Sequence, residues 1–149
     1  MKLHHDIRDF IALCLLRKVE FLLVGGYALA FHGAPRFTED IDLMVLVSPE
    51  NADNLFSVLR DFGFGEVGIT RDDFLAADQV IQLGRAPHRI DILTGISGVT
   101  WPEAWASRMQ VDLDGIEIHV IGKEELIRNK KATGRPQDLA DVARLTRPP

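Results

Sequence analysis

The chain is poor in several things that would announce a function. It has a single cysteine, Cys14, among 149 residues, so no intrachain disulfide can form and a reducing compartment fits. Cys14 falls in the pattern Phe10, Ile11, Leu13, Cys14, Leu15, Leu16 and reads as a small apolar residue on a helix. No segment offers the 18 or more apolar residues that a membrane span needs. Charge interrupts MKLHHDIRDF before a signal-peptide core can build up, so a cytoplasmic protein without membrane partners is expected. His4, His5, His32, His88 and His119 show neither HxxxH nor Cys/His spacing, which argues against zinc. No serine sits in G-x-S-x-G, and neither G-x-x-x-x-G-K-[ST] nor G-x-G-x-x-G is present. The familiar hydrolase, P-loop and dinucleotide readings lose their support. There is no internal repeat or low-complexity tract, and only the Pro148-Pro149 end looks loose.

What is present suits one compact domain. Hydrophobic residues make up 46% and charged residues 26%, which excludes a disordered or collagen-like chain. At this length a chain buries roughly 68–70% of its unfolded surface. The net charge of -5 argues against a protein that coats nucleic acid with a broad basic surface, but it hides an asymmetry. Residues 1–121 carry ten basic against eighteen acidic residues, and 122–149 carry seven against four.

Apolar spacing predicts a first helix from Asp6 to Arg17, then a strand in EFLLVGG that turns through Gly25-Gly26 into a short helix from Tyr27 to His32. TEDIDLMVLV reads as a strand, and Pro49 opens an amphipathic helix to about Phe62. After the Gly-rich GFGEVG segment, VIQLG and HRIDILT read as strands and TWPEAWASRM as a short helix on which Trp101 and Trp105 pack together. MQVDL and IEIHVI flank Asp114-Gly115, the two-residue signal of a hairpin. Two last helices, Lys123 to Thr133 and Pro136 to Leu145, are split by Gly134. The expected class is α/β (α+β): a small mixed sheet flanked by helices with a C-terminal helical pair.

Gly25-Gly26 at a strand-to-helix turn leaves N–H groups free at a positive dipole end, where a phosphate can approach because no Cβ obstructs it. The same pair is also an ordinary structural turn. Asp40 and Asp42 lie on one face of one strand, and two carboxylates 4 Å apart repel by roughly 4 kcal/mol at an effective dielectric of 20. A hard cation such as Mg²⁺ neutralises them and keeps positions open for phosphate oxygens; an isolated D-x-D is otherwise a solvated face with two surface acids. Asp91, centred in RIDIL, supplies a third carboxylate if the two strands are neighbours, and alone would pair with Arg89 or another base. Lys130 falls on the apolar arc that Leu126 and Ile127 centre, so its ammonium should meet a carboxylate or an incoming phosphate. Arg135, Asp138 and Asp141 suit a local structural ion-pair set.

In combination these pieces resemble a known family. GGYALAFHGAPRFTEDIDLMV, followed by HRIDIL, resembles the nucleotidyltransferase superfamily of the DNA polymerase beta type. Within it the chain looks most like small bacterial members of the abortive-infection and minimal nucleotidyltransferase toxin–antitoxin groups. Arg36, Thr38, Asp40 and Asp42 match the stretch Arg-x-Thr-x-Asp-(apolar)-Asp, and NKKATGRPQDLADV resembles that group's C-terminal pattern. The resemblance covers roughly residues 20 to 145. It implies a catalytic, metal-holding set of Asp40, Asp42 and Asp91, with Asp91 placed to take the acceptor's proton. It also implies a nucleotide-binding set of Gly25, Gly26, Arg36, Thr38 and Lys130. The implied cofactor is Mg²⁺ or Mn²⁺, the substrate an NTP and the acceptor a hydroxyl of RNA or protein, with a cognate toxin or antitoxin as partner. The implied organisation is one domain over 1–149, in which 123–147 is a helical extension closing the cleft. Two other expectations are a catalytically silent module of a toxin–antitoxin pair and an aminoglycoside-type antibiotic nucleotidyltransferase, which the acidic body would suit.

Overall fold

A computed structural model describes residues 2–63, 68–85 and 88–148. Most of the GFGEVG segment and Pro149 lie outside the described residues. The first helix, α1 (His5–Leu16), buries Ile7, Phe10, Ile11 and Cys14. Burial pushes the Cys14 thiol up to about 12, so it stays protonated and unreactive. Strand β1 (Phe21–Val24) is buried throughout and passes directly into α2 (Gly25–Phe31). The helix therefore begins at the glycine pair, two residues before the position its apolar pattern suggests. Strand β2 (Asp40–Val45) leads to α3 (Pro49–Phe62), whose ends follow the sequence closely. The Ser48 hydroxyl accepts from the Asn51 N–H, proline occupies the first turn, and Gly63 ends the helix at φ 93°.

A single 3₁₀ turn (Arg71–Phe74) precedes β3 (Val80–Leu83) and β4 (Arg89–Leu93). Next come α4 (Trp101–Ala106), β5 (Met109–Leu113), β6 (Ile116–Val120), α5 (Lys123–Thr133) and α6 (Pro136–Leu145). The Trp101 and Trp105 rings stack at 5.3 Å, as their spacing on one helix predicts. The β5–β6 turn places Asp114 at φ 51° and Gly115 at φ 85°, the paired positive φ values of a tight hairpin turn. No described helix is long and apolar enough to cross a membrane.

The six strands form one mixed sheet in the order β3-β4-β2-β1-β6-β5. Strand β2 runs antiparallel to β1 and parallel to β4, so the end of β1 meets the start of β2 and of β4 at one end of the strands. At the other end, buried Asn51 closes the connections: its side-chain oxygen accepts from the Glu20 N–H at 2.8 Å, and its amide donates to the Glu20 and Leu46 carbonyls at 3.1 and 2.8 Å. Replacing it leaves the half-buried Leu46 carbonyl and the Glu20 N–H without this partner, so Asn51→Ala should lower unfolding free energy by about 1–2 kcal/mol. Urea denaturation measures this; an unchanged midpoint would show that the connections are held by packing alone.

Candidate active site

The register of β2 against β4 builds the site. Asp42 stands opposite Asp91, and Asp40 stands opposite Arg89. All four side chains fall on one face because each strand contributes residues two apart. The result is a square of three acids and one base at the end of the sheet where β1 turns into α2. Side chains directly opposite on adjacent strands are close neighbours, and like charges there are destabilising. The Asp42 carboxyl is accordingly pushed up to about 7, first by burial and then by the charges of Asp91 and Asp40, with Lys130 pulling the other way. Arg89 answers the remaining charge. It donates through Nε to Asp91 at 3.0 Å and through a terminal nitrogen to Asp40 at 2.5 Å.

The glycine pair has a steric reason at this spot. Gly25 lies at φ 69°, and a Cβ on it would come 2.1 Å from an Asp42 carboxylate oxygen. A Cβ on Gly26 would press on the Thr38 side chain at 3.0 Å. Gly25 thus lets the backbone of the turn come against the carboxylate, and Gly26 lets it come against the segment before β2. Thr38 in turn donates to the Asp40 carbonyl at 3.1 Å, steadying the start of the strand. Val24, the residue before α2, makes no side-chain hydrogen bond to the first turn of the helix.

A cleft of about 780 Å³ opens over this square, lined by Gly25, Asp40, Asp42, Arg89 and Asp91 on the sheet side and by Asn129, Lys130, Thr133, Arg135 and Asp138 on the helical side. Helix α5 is held there by Asn129, which donates to the Ser97 carbonyl at 2.9 Å, and by an Arg128–Glu103 ion pair at 2.7 Å. Lys130 is buried and meets Asp138 at 3.3 Å and Asp141 at 3.2 Å. Of the two partners open to it from sequence, a carboxylate or a phosphate, it has carboxylates in this structure. Burial alone would raise the Asp138 carboxyl, but hydrogen bonds from Arg135 and Thr133 and the charge of Lys130 hold it at about 2.

Arg36 is placed differently from a residue aimed at the cleft. Its guanidinium grips Asp141 through two bonds, at 3.1 and 3.3 Å, across 105 residues of chain. Arg144 donates to the Pro35 carbonyl at 2.5 Å. The loop before β2 is therefore strapped to α6. The structure thus brings Gly25, Asp40, Asp42, Asp91 and Lys130 to one cleft, with Gly26 and Thr38 packed behind the turn and Arg36 at its flank. Two features were missed in the sequence: Arg89 as a bridge between strands, and Arg36 as a partner of Asp141. Spacing gave a signal only for the first, since Arg89 and Asp91 are two apart on one strand.

Three carboxylates converging from adjacent strands on an open cleft fit a divalent cation, because oxygen donors with excess negative charge are the donor set that Mg²⁺ and Mn²⁺ prefer. A second group, His4, His5 and Asp6, lies at the start of α1, with His4 half-buried and its ring stacked at 3.7 Å on that of His88, the residue before Arg89.

A mixed sheet in which a Gly-Gly turn and short helix precede a D-x-D strand, backed by two C-terminal helices, is the architecture of a nucleotidyltransferase. Residues 14–147 match the family model described as the nucleotidyl transferase AbiEii toxin of type IV toxin–antitoxin systems, and the chain belongs to that family. No curated protein matches it by sequence. Among solved structures, the Thermotoga maritima protein TM1012 superimposes with a TM-score of 0.60 at 16% identity, covering 93% of this chain and 88% of its own. The lincosamide antibiotic adenylyltransferase LnuA, solved with lincomycin, gives 0.59 at 13% identity and covers 96% of both chains. The antibiotic-resistance factor ANT(2'')-Ia gives 0.58 at 13% identity, covering 95% of this chain and 80% of its own. At these identities the likeness is one of fold.

Above about pH 4 the unfolded chain has lost the Asp42 proton that the folded chain keeps until about 7. The stability this contributes is full below pH 4 and is lost as pH rises through 7. Asp138 acts in the opposite sense: its contribution is present above pH 4 and disappears as pH falls toward 2. Urea midpoints taken in EDTA should peak near pH 4–5 and fall toward pH 8, and Asp42→Asn should flatten that fall. An unaltered profile in the variant would assign the fall to other groups. Lys130→Met leaves two buried carboxylates without their ammonium and should cost roughly 3–5 kcal/mol; a calorimetric melting point within a degree of the parent protein would contradict this.

Proposed function

We propose that this protein transfers a nucleotidyl group from an NTP, with Mg²⁺ or Mn²⁺, to a hydroxyl of an RNA or protein acceptor. The observation that carries the reading is the convergence of Asp40, Asp42 and Asp91 on one cleft, with Asp42 directly opposite Asp91 on a parallel strand. Carboxylates forced together in this way favour a site whose working state includes a cation. The bound cation would polarise the α-phosphate and favour ionisation of the attacking hydroxyl.

Asp40, Asp42 and Asp91 hold the metal in this reading. The hydroxyl oxygen attacks the α-phosphorus, the bond from that phosphorus to the bridging oxygen of the β-phosphate breaks, and pyrophosphate leaves. Asp91 accepts the hydroxyl proton. Gly25 and Gly26 keep the turn low enough for the triphosphate to lie against its N–H groups. Lys130 lines the facing wall and adds positive charge toward the phosphates, while Arg36 and Thr38 act by holding the segment that delivers Asp40. The chain forms a single domain in which 123–147, carrying α5 and α6, closes the cleft.

The family's membership of type IV toxin–antitoxin systems suggests a cognate antitoxin as partner. The acceptor is RNA or protein, the classes a toxin would disable by capping a hydroxyl. The antibiotic substrates named for LnuA and ANT(2'')-Ia belong to those proteins, and no residue of this cleft singles out such a ligand.

The test is incubation of the purified protein with each α-labelled NTP and Mg²⁺ or Mn²⁺, with total RNA and cell extract as acceptors. Label should appear on one macromolecule with one preferred NTP, and Asp40→Asn or Asp42→Asn should reduce it by at least about a hundredfold, the scale of losing a principal electrostatic contribution to the transition state. Undiminished labelling by either variant would sink the assignment.

A further inference from the structure

Among the described residues, Arg89 is the basic side chain that bonds to two of the three carboxylates. It sits two residues from Asp91 on β4 and directly across from Asp40 on β2. Its fork spans the two strands, with bonds of 3.0 and 3.3 Å to the two oxygens of Asp91 and of 2.5 Å to Asp40. A planar guanidinium suits this bridging because it presents several donors in a fixed plane, and such charge-assisted bonds are among the stronger ones a surface cleft can form. The oxygens it engages belong to the carboxylates that would hold a divalent cation. An oxygen lone pair directed at an N–H is not directed at a metal, and the two positive groups repel across the same few ångströms.

We infer that Arg89 is a built-in counter-cation for the carboxylate set, which holds the strands in register when no metal is bound and must release at least one of its carboxylate oxygens when one enters. It is a positioning residue. It keeps Asp40 and Asp91 from splaying apart, and it sets a threshold of metal concentration below which the site stays closed by its own guanidinium. The inference rests on the metal reading proposed above.

The test measures Mn²⁺ binding to the nucleotide-free protein by electron paramagnetic resonance, alongside melting temperatures in EDTA and in Mg²⁺. Arg89→Gln removes the competing charge, and since a hydrogen bond to a charged group is worth enough to shift an equilibrium about tenfold or more, Mn²⁺ should bind at least about tenfold more tightly. The same variant should melt lower than the parent in EDTA and recover on adding Mg²⁺, which a merely structural loss would not do. Arg89→Lys keeps a charge but cannot span both strands with a fork, so its Mn²⁺ affinity should lie between the two; it also carries the test if the glutamine variant does not fold. Equal or weaker Mn²⁺ binding in the variants, with binding abolished by Asp42→Asn, would overturn the role of Arg89 and leave the metal reading standing. No Mn²⁺ binding by the parent or either variant would overturn both.

Discussion

The structure depends on a repulsion. Parallel pairing of β2 and β4 sets the Asp42 carboxylate opposite that of Asp91, with Asp40 one pleat away, an arrangement that strand pairing on its own disfavours. The neighbouring parts of the chain can be read as answers to it. Gly25 gives up a side chain so that the turn can close over Asp42. Arg89 lays a guanidinium across Asp40 and Asp91. Asp42 relieves what is left by favouring its protonated form. Charge concentrated in this way on adjacent strands lowers stability, and it is the arrangement on which the proposed chemistry rests.

A second charged assembly holds the opposing wall. Asp138 and Asp141 are each only 2% exposed and are served by Lys130, Arg135, Arg36 and Thr133. Buried ion pairs of this kind add little net stability compared with apolar packing, but they are unforgiving of misplacement. Their use here is geometric. Arg36 and Arg144 strap the loop before β2 to α6, while Lys130 ties α5 to α6 at the cleft wall. The strand that delivers Asp40 and Asp42 is thereby tied to the helices that face it, by one long-range ion pair, Arg36–Asp141, and one long-range hydrogen bond, Arg144 to Pro35. Among the described residues no fully buried side-chain nitrogen or oxygen lacks a hydrogen-bond partner, which is what a precise polar assembly requires.

Much of this was legible in the sequence where the determinants are local. The Ser48-Pro49 start and Gly63 end of α3, the Asp114-Gly115 hairpin and the buried placement of Lys130 each follow from a few adjacent residues. The D-x-D alternation likewise identified which face of β2 carries the acids. What spacing could not supply was the register between strands that are about fifty residues apart. That register decides whether Asp91 meets Asp42 or slides past it, and with it whether Arg89 reaches Asp40. The Arg36–Asp141 pair was hidden for the same reason, since nothing within either segment names a partner 105 residues away. The start of α2 was read two residues late because glycine is a poor helix former, and the glycines stand there because a Cβ would collide with Asp42 or press on Thr38.

The most direct measurement is the position of Mn²⁺ in crystals of the protein soaked with the ion and a non-hydrolysable nucleoside triphosphate, located by anomalous scattering. If the repulsion between Asp42 and Asp91 exists to hold a cation, the strongest anomalous peak lies on the carboxylates of Asp40, Asp42 and Asp91, with the triphosphate beside the Gly25-Gly26 turn and the Arg89 side chain withdrawn from at least one of its oxygens. A peak elsewhere, with Arg89 still bridging Asp40 and Asp91, would contradict it.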